Sequence, residues 1–225
     1  GDIAIEMLFF CPALFLKSNE WDLINQIEKK GAQIYEVSQA IFEKISMRDR
    51  PDGLALLAQQ DRLGLSDLEA KIKESDCPFF CVVEAIEKPG NLGSILRSCD
   101  AVGVDGLILC NECTDVFNPN VVRSSVGALF TVPVYQVSSL EAIELLTQHK
   151  IKIVTTSPAA KQNYTDVSYQ SGVAVAMGTE QLGLSDLWFK DEFEKVSIPM
   201  LGRADSLNVA NATTLLLYEV LRQRR

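Results

Sequence analysis

The sequence predicts an α/β fold around a mostly parallel sheet, and two observations carry that expectation. From Cys77 onward, short apolar runs alternate with segments of helical period, the pattern of strand–helix–strand units on one sheet. Three of these runs lead into turns rich in Gly, Asn and Ser: "KPGNLGSILR", "AVAMGTEQLGLS" and "SIPMLGRADSLNVANA". Open parallel sheets bind ligands outside the carboxyl ends of their strands, so three such ends on one edge make one candidate site.

Each element has a local reason. "IEMLFFCPALFL" is apolar but broken by Pro12, and reads as strand and core rather than a signal peptide. "NEWDLINQIEKK" is a helix ending at Gly31, "AQIYEV" a strand, and "SQAIFEKI" a helix capped by Ser38. "RDRPDG" is a turn and "LALLA" another strand. "SDLEAKIKESD" is a charged connector helix with Ser66 and Glu69 as its capping box, which sets a domain boundary near Asp76 (1–76 and 77–225).

Beyond the boundary, "PFFCVVEA" supplies a buried strand over 79–86. Leu92, Ile95, Leu96, Cys99 and Val102 then recur at helical spacing, giving a helix over 91–102 with Asn91 as cap and Arg97 away from the apolar stripe. A strand over 104–109, a helix around 119–128, and a strand over 131–135 follow. Ser138 and Glu141 form a capping box for helix 139–149. Strands at 151–156, 172–177 and 194–198 precede a last helix opened by Ser206. Helices 91–102 and 206–222 carry apolar residues on more than one stripe, which suits a large interface with a second copy.

The 225 residues are ample for a sizeable core, and no apolar run reaches the roughly 18–20 residues of a membrane span. The formal charge of −9 is shared, with 9 basic and 14 acidic side chains up to Asp76 (−5) and 12 and 16 beyond it (−4). Acidic balance argues mildly against a nucleic-acid binder, although a local basic patch fits inside such a total. Six cysteines in a chain of this size read as reduced, mostly buried thiols. The pairs Cys77/Cys81 and Cys110/Cys113 invite a zinc reading, but Cys81 and Cys110 lie in apolar strands, so no metal is expected. A cytoplasmic protein is the default. The single histidine, His149, falls at a helix end and reads as solvated, so histidine-based triads are excluded.

A dinucleotide site fails on spacing, because Gly90 and Gly93 do not make G-x-G-x-x-G, and no G-K-[ST] follows any glycine loop. Singly, Asn91 and Ser206 read as caps, Glu180 as a turn residue, and Asn208 and Asn211 as solvated. Together, N-x-G-x3-R, G-x-E-x2-G-L-S and I-P-M-x-G-x3-S-L-N-V-A, in this order, resemble the SpoU branch (TrmH family) of the SPOUT methyltransferases. "VVRSSVGALFTVPV" resembles the segment that family places between its first and second motifs. The resemblance covers residues 77–225. The first 75 resemble, more loosely, a small α/β substrate-recognition domain through "IYEVSQAIFEKIS" and "PDGLALLA". The strand that usually begins that domain is missing, so the domain is expected to be N-terminally incomplete; the chain also starts without methionine.

The resemblance implies a C-terminal trefoil knot, a homodimer, S-adenosylmethionine as cofactor and methyl transfer to a ribose 2′-hydroxyl of ribosomal or transfer RNA. It implies Arg97 as the central catalytic residue, with Asn91, Glu180, Ser206 and Asn208 around it. Main-chain groups of Gly178, Ile198, Met200 and Leu207, with Thr155, are expected to hold the cofactor. A guanidinium stays protonated, so Arg97 is read as orienting phosphate and ribose and stabilising developing alkoxide rather than as a base. Lys88, Arg123, Lys161 and Arg203 are the basic residues near the motifs for phosphate contact. The rival readings are an RNA-binding module of the same fold with little turnover and, from another class, a nucleotide-dependent oxidoreductase.

Overall fold

The structure is a computed structural model, and it describes residues 3–47, 50–179 and 181–225. The chain forms two compact units that divide between Asp61 and Arg62.

The first unit holds a three-stranded sheet with Ile5–Phe10 (β1) in the centre. β1 runs parallel to Gln33–Glu36 (β2) and antiparallel to Leu54–Ala58 (β3), pairing Phe10 with both Glu36 and Leu54. Helices Glu20–Lys29 (α1) and Gln39–Ile45 (α2) complete the unit. Its core is small: Leu8, Phe10 and Ile24, with Phe15, Ile27, Ile34 and Leu54 packed against them. Gly31 follows α1 at φ +94°, as expected of a left-handed cap. Ser38 occupies the cap position of α2 without a side-chain cap bond. Of the "RDRPDG" turn, Arg48 and Asp49 lie outside the described residues. Gly53 has φ +81°, and a Cβ there would meet the Cys11 carbonyl oxygen at 2.8 Å, so the turn requires glycine.

The second unit carries seven strands: Phe79–Glu84 (β4), Gly106–Cys110 (β5), Val134–Val137 (β6), Lys152–Thr156 (β7), Gln162–Asn163 (β8), Val173–Met177 (β9) and Glu194–Ser197 (β10). Their order is β6-β5-β4-β9-β7-β10-β8, and every pair is parallel. The chain walks outward from β4 to β6. It then lays β9 between β4 and β7, so the strands formed early and late in the chain interleave.

Helices Leu65–Glu74 (α3), Pro89–Val102 (α4), Pro119–Ser125 (α5), Ser139–Gln148 (α6) and Val209–Arg224 (α7) cover the sheet. Side chains alternate across a strand, so β4 sends Phe79, Cys81 and Val83 into one core, shared with Leu92, Ile95, Leu96, Leu216 and Leu217 of α4 and α7. Phe80 and Val82 enter the other, shared with Leu68 and Ile72 of α3 and Leu145 and Leu146 of α6. Both faces are buried, which is why the strands read as continuous apolar runs.

Several boundaries differ from expectation for identifiable reasons. The helix expected as a connector buries Leu68 and Ile72 in the second core, so the compact units part at Asp61 rather than near Asp76. It starts at Leu65, where the Gly64 N–H donates to Asp67 Oδ2 (2.8 Å); Glu69 accepts from Lys73 instead of forming a box with Ser66. α4 starts at Pro89, whose missing N–H costs nothing in a first turn, so Lys88 and not Asn91 is the cap residue. α5 stops at Ser125 because Val126 and Gly127 turn left-handed (φ +52° and +94°). β6 begins after Pro133, and α7 begins at Val209 with Asn208, not Ser206, as its cap. The Ser138–Glu141 box forms as read, with the Ser138 N–H donating to Glu141 Oε2 (2.8 Å).

His149 ends α6 half-buried rather than solvated, 3.9 Å from Glu69 Oε1. α4 spends its apolar stripes inside the chain, whereas α7 leaves Leu215 and Tyr218 exposed. All six cysteines are free, with Cys11, Cys81, Cys99 and Cys110 buried. Among the described residues, no helix is long and apolar enough to cross a membrane, and no group of three or more His, Cys, Asp or Glu could hold a metal ion.

Candidate active site

The carboxyl ends of β4, β9, β7 and β10 are sheet neighbours, so the turns that leave them meet at one edge. Those after β7, β9 and β10 enclose a cleft of about 530 Å³, within the range of small-molecule sites. Its wall takes Thr156 at the end of β7 and Pro158 beyond it, Gly178 and Gly183 after β9, and Ile198 and Met200 after β10. Ser206, Leu207 and Val209 close it from the start of α7. A smaller hollow beside it is lined by Lys88 and Asn91 from the first motif, together with Thr179 and Val209.

The turn after β9 is built from within. The Thr179 and Gly183 backbones exchange two hydrogen bonds of 3.0 Å, and the Leu182 N–H donates to Thr179 Oγ1 (3.0 Å). A Cβ on Gly178 would come within 2.0 Å of the Gly183 carbonyl carbon, so the doubling back requires glycine. Gly183 itself sits at φ +70°, and a Cβ there would meet no protein atom, which leaves its backbone approachable. The opposite behaviour holds for 199–207: among the described residues, no hydrogen bond engages that stretch, and its main-chain N–H and C=O groups are open to a ligand. Asp186 and Asp205 also line the cleft, while among the described residues no Lys or Arg does.

The first and third motifs are tied directly. Asn208 Nδ2 donates to Asn91 Oδ1 (3.2 Å), while Asn208 Oδ1 accepts from the Ala210 N–H (3.0 Å) and caps α7. Two turns of chain further along α4, Ser98 shares a 2.7 Å hydrogen bond with Thr214 of α7. Gly93 makes the neighbouring contact possible, since a Cβ there would strike Ser124 Oγ of α5 at 2.0 Å. The "VVRSSVG" segment is therefore a packing partner of the first motif.

Of the expected cofactor residues, Gly178, Ile198, Met200 and Leu207 all line the cleft. Thr155 does not: it is fully buried and its hydroxyl donates to the Glu194 carbonyl (3.2 Å), leaving Thr156 as the lining residue. Ser206 lines the cleft, and Asn91 the hollow beside it. Glu180 lies outside the described residues. Arg97 is exposed on α4 and lines neither cavity. Lys88 is exposed at the hollow, and Arg123, Lys161 and Arg203 are exposed outside both cavities.

Reading the sequence missed Glu84, the last residue of β4, which is only 3% exposed. Burial raises its pKa, but bonds from the Ser139 hydroxyl and from the N–H and hydroxyl of Ser185 outweigh that and hold it below the usual 4.5. The buried Trp188 Nε1–H pulls the same way without reaching hydrogen-bond geometry. Burial, then the nearby Glu84 charge, pushes the Cys110 thiol up to about 12, a protonated packing residue and not a ligand. The signal for Glu84 was a lone acid closing an otherwise apolar run.

Fold and site together define an α/β domain that takes a small ligand at the carboxyl edge of a parallel sheet, beneath glycine turns and the start of its last helix. The chain belongs to the SpoU rRNA Methylase family, which matches residues 78–218; residues 1–56 match the MRM3-like substrate binding domain. It is 32% identical over 205 residues to the 23S rRNA (guanosine-2′-O-)-methyltransferase RlmB of Shewanella oneidensis, covering 90% of this chain and 83% of that one. It is 41% identical over 142 residues to the 23S rRNA (uridine(2479)-2′-O)-methyltransferase of Streptomyces viridochromogenes, 60% of this chain and 50% of the other. The AdoMet-bound rRNA methyltransferase of Sinorhizobium meliloti superimposes with a TM-score of 0.86 at 28% identity, over 98% of this chain and 80% of that one.

Proposed function

We propose that this protein transfers the methyl group of S-adenosylmethionine to a ribose 2′-hydroxyl of ribosomal or transfer RNA, acting as a cytoplasmic homodimer. The observation that carries the reading is the cleft, where the second and third motifs meet beside the hollow of the first and the 199–207 main chain is unspent. The lining fits the cofactor: apolar Ile198, Met200 and Leu207 suit an adenosine, and Asp186 and Asp205, in a lining that holds no Lys or Arg among the described residues, suit a cation. The bound cofactor supplies a methyl on a sulfonium, and this leaves the chain to position the ribose and handle its hydroxyl proton.

Arg97 orients the target phosphate and ribose and stabilises charge growing on the oxygen. Asn91 and Asn208 hold the first and third motifs in register, and Ser206 and Glu180 complete the site. Lys88, Arg123, Lys161 and Arg203 contact phosphates. The β9 insertion between β4 and β7 supports the C-terminal knot expected of the family. Exposed Leu215 and Tyr218 on α7 support a dimer interface there.

The test is single-turnover methyl transfer to cognate RNA. Arg97→Ala is expected to lose about 10²-fold or more in rate with S-adenosylhomocysteine affinity unchanged. Arg97→Lys should rescue poorly, because an ammonium lacks the planar two-pronged contact. Near-wild-type rates in both variants overturn the role. An RNA bound but never methylated by wild type favours the binding module instead.

A further inference from the structure

We propose that Glu84 is a positioning residue that anchors the far end of the β9 turn and so holds one wall of the cofactor cleft. This rests on the cofactor reading of that cleft.

Glu84 Oε2 accepts from the Ser185 N–H (2.7 Å), and Oε1 accepts from Ser185 Oγ (2.8 Å), Ser139 Oγ (2.5 Å) and Asn111 Nδ2 (3.3 Å). One side chain thus ties the end of β4 to the residues after β5, to the first turn of α6 and to the turn after β9. Ser185 directly follows Gly183 and Leu184 and precedes Asp186, all three of which line the cleft. The near end of that turn is closed by its own Thr179–Gly183 bonds; its far end is gripped by Glu84.

The chemistry argues against a role in packing alone. Each donor given to Glu84 is neutral, so a buried carboxylate is kept without a cation, an arrangement that costs stability relative to an apolar side chain. The backbone beside it is also held off its preferred basin. Ala85 (φ +53°) and Asn111 (φ +50°) are left-handed residues other than glycine, at the ends of adjacent strands. Backbone strain of this kind persists where the surroundings over-determine it, as at binding sites. Glu84 lines neither cavity, so it reaches the cleft wall through Ser185.

Three variants separate anchoring from general stability: Glu84→Gln, Ser185→Ala and Ser139→Ala. The first two loosen the grip on the β9 turn; the third removes a bond to the same carboxylate at α6. Calorimetry with S-adenosylhomocysteine should show Kd raised about tenfold in Glu84→Gln and Ser185→Ala, the size expected for one charge-assisted hydrogen bond. Ser139→Ala should stay within about twofold while still melting lower. Cofactor KM should follow Kd, with kcat changed far less. Equal losses of affinity in Ser185→Ala and Ser139→Ala, or wild-type affinity in Glu84→Gln, overturn the proposal.

Hydrogen exchange of the cofactor-free protein keeps the two readings apart. Faster exchange at the Ser185 amide in Glu84→Gln, with none in Ser139→Ala, establishes the anchoring without any ligand; unchanged exchange refutes it. Failure of wild type to bind S-adenosylhomocysteine would instead sink the cofactor reading.

Discussion

The two long turns that line the cleft are made in opposite ways. The one after β9 satisfies itself: glycines at 178 and 183, paired backbone at Thr179 and Gly183, and Ser185 held by Glu84. The one after β10 spans 199–207 with no internal hydrogen bond among the described residues, and Leu201 is fully exposed. The first has its shape before a ligand arrives. The second gains partners only from what binds. A preformed wall limits the entropy lost on binding, and an unspent wall supplies the main-chain groups that recognise the ligand.

Breaking the preformed turn should produce the largest effect. Gly178→Ala places a Cβ 2.0 Å from the Gly183 carbonyl carbon, where only backbone can give way. Overpacking of this kind costs about 3 kcal/mol, and calorimetry should find cofactor binding lost as well. A Gly178→Ala protein with wild-type melting temperature and affinity would show that the turn is not rigid.

Ligand addition sharpens the contrast from the other side. S-adenosylhomocysteine at a hundredfold excess over Kd should stabilise the protein by about 2.7 kcal/mol. Hydrogen exchange should slow mainly at 199–207 and little at the β9 turn. Equal slowing in both would mean neither wall is preformed.

Gly183→Ala is next. The left-handed φ of +70° should cost about 1–2 kcal/mol, read from urea midpoints. Because a Cβ there meets no protein atom, it also tests how near a ligand comes: affinity should fall by more than the lost stability accounts for.

The smallest expected change belongs to Asn208→Ala, about 1 kcal/mol for the lost α7 cap. Its bond to Asn91 adds a loss in methyl-transfer rate that Asn208→Ser, which still caps, should share. A full rate in Asn208→Ser would reduce Asn208 to a cap.

Legibility in the sequence tracked the range of the interactions. The Ser138–Glu141 box and the Gly31 cap formed where they were read, because each is decided within four residues. Asn91 and Ser206 were read as caps by residue type, but Pro89 and Asn208 hold those starts, shifting α4 earlier and α7 later. The α3 helix looked like a connector from its charges, yet it buries Leu68 and Ile72 in the second core. Thr155 and Thr156 were indistinguishable in a row, since alternation along a strand sends one into the core and its neighbour to the cleft.

By itself, the sequence determined the strand–helix alternation, the doubly buried strands and the glycine turns, all of which follow from local periodicity and backbone freedom. It also determined the family, through three motifs whose order and spacing survive being read as text. Only the tertiary structure decided that β9 slips between β4 and β7, which brings the ends of four strands to one edge. Only there does Glu84, 101 residues from Ser185, become its partner. A buried carboxylate has no preference for a particular distant donor until the fold removes water and leaves that donor within reach.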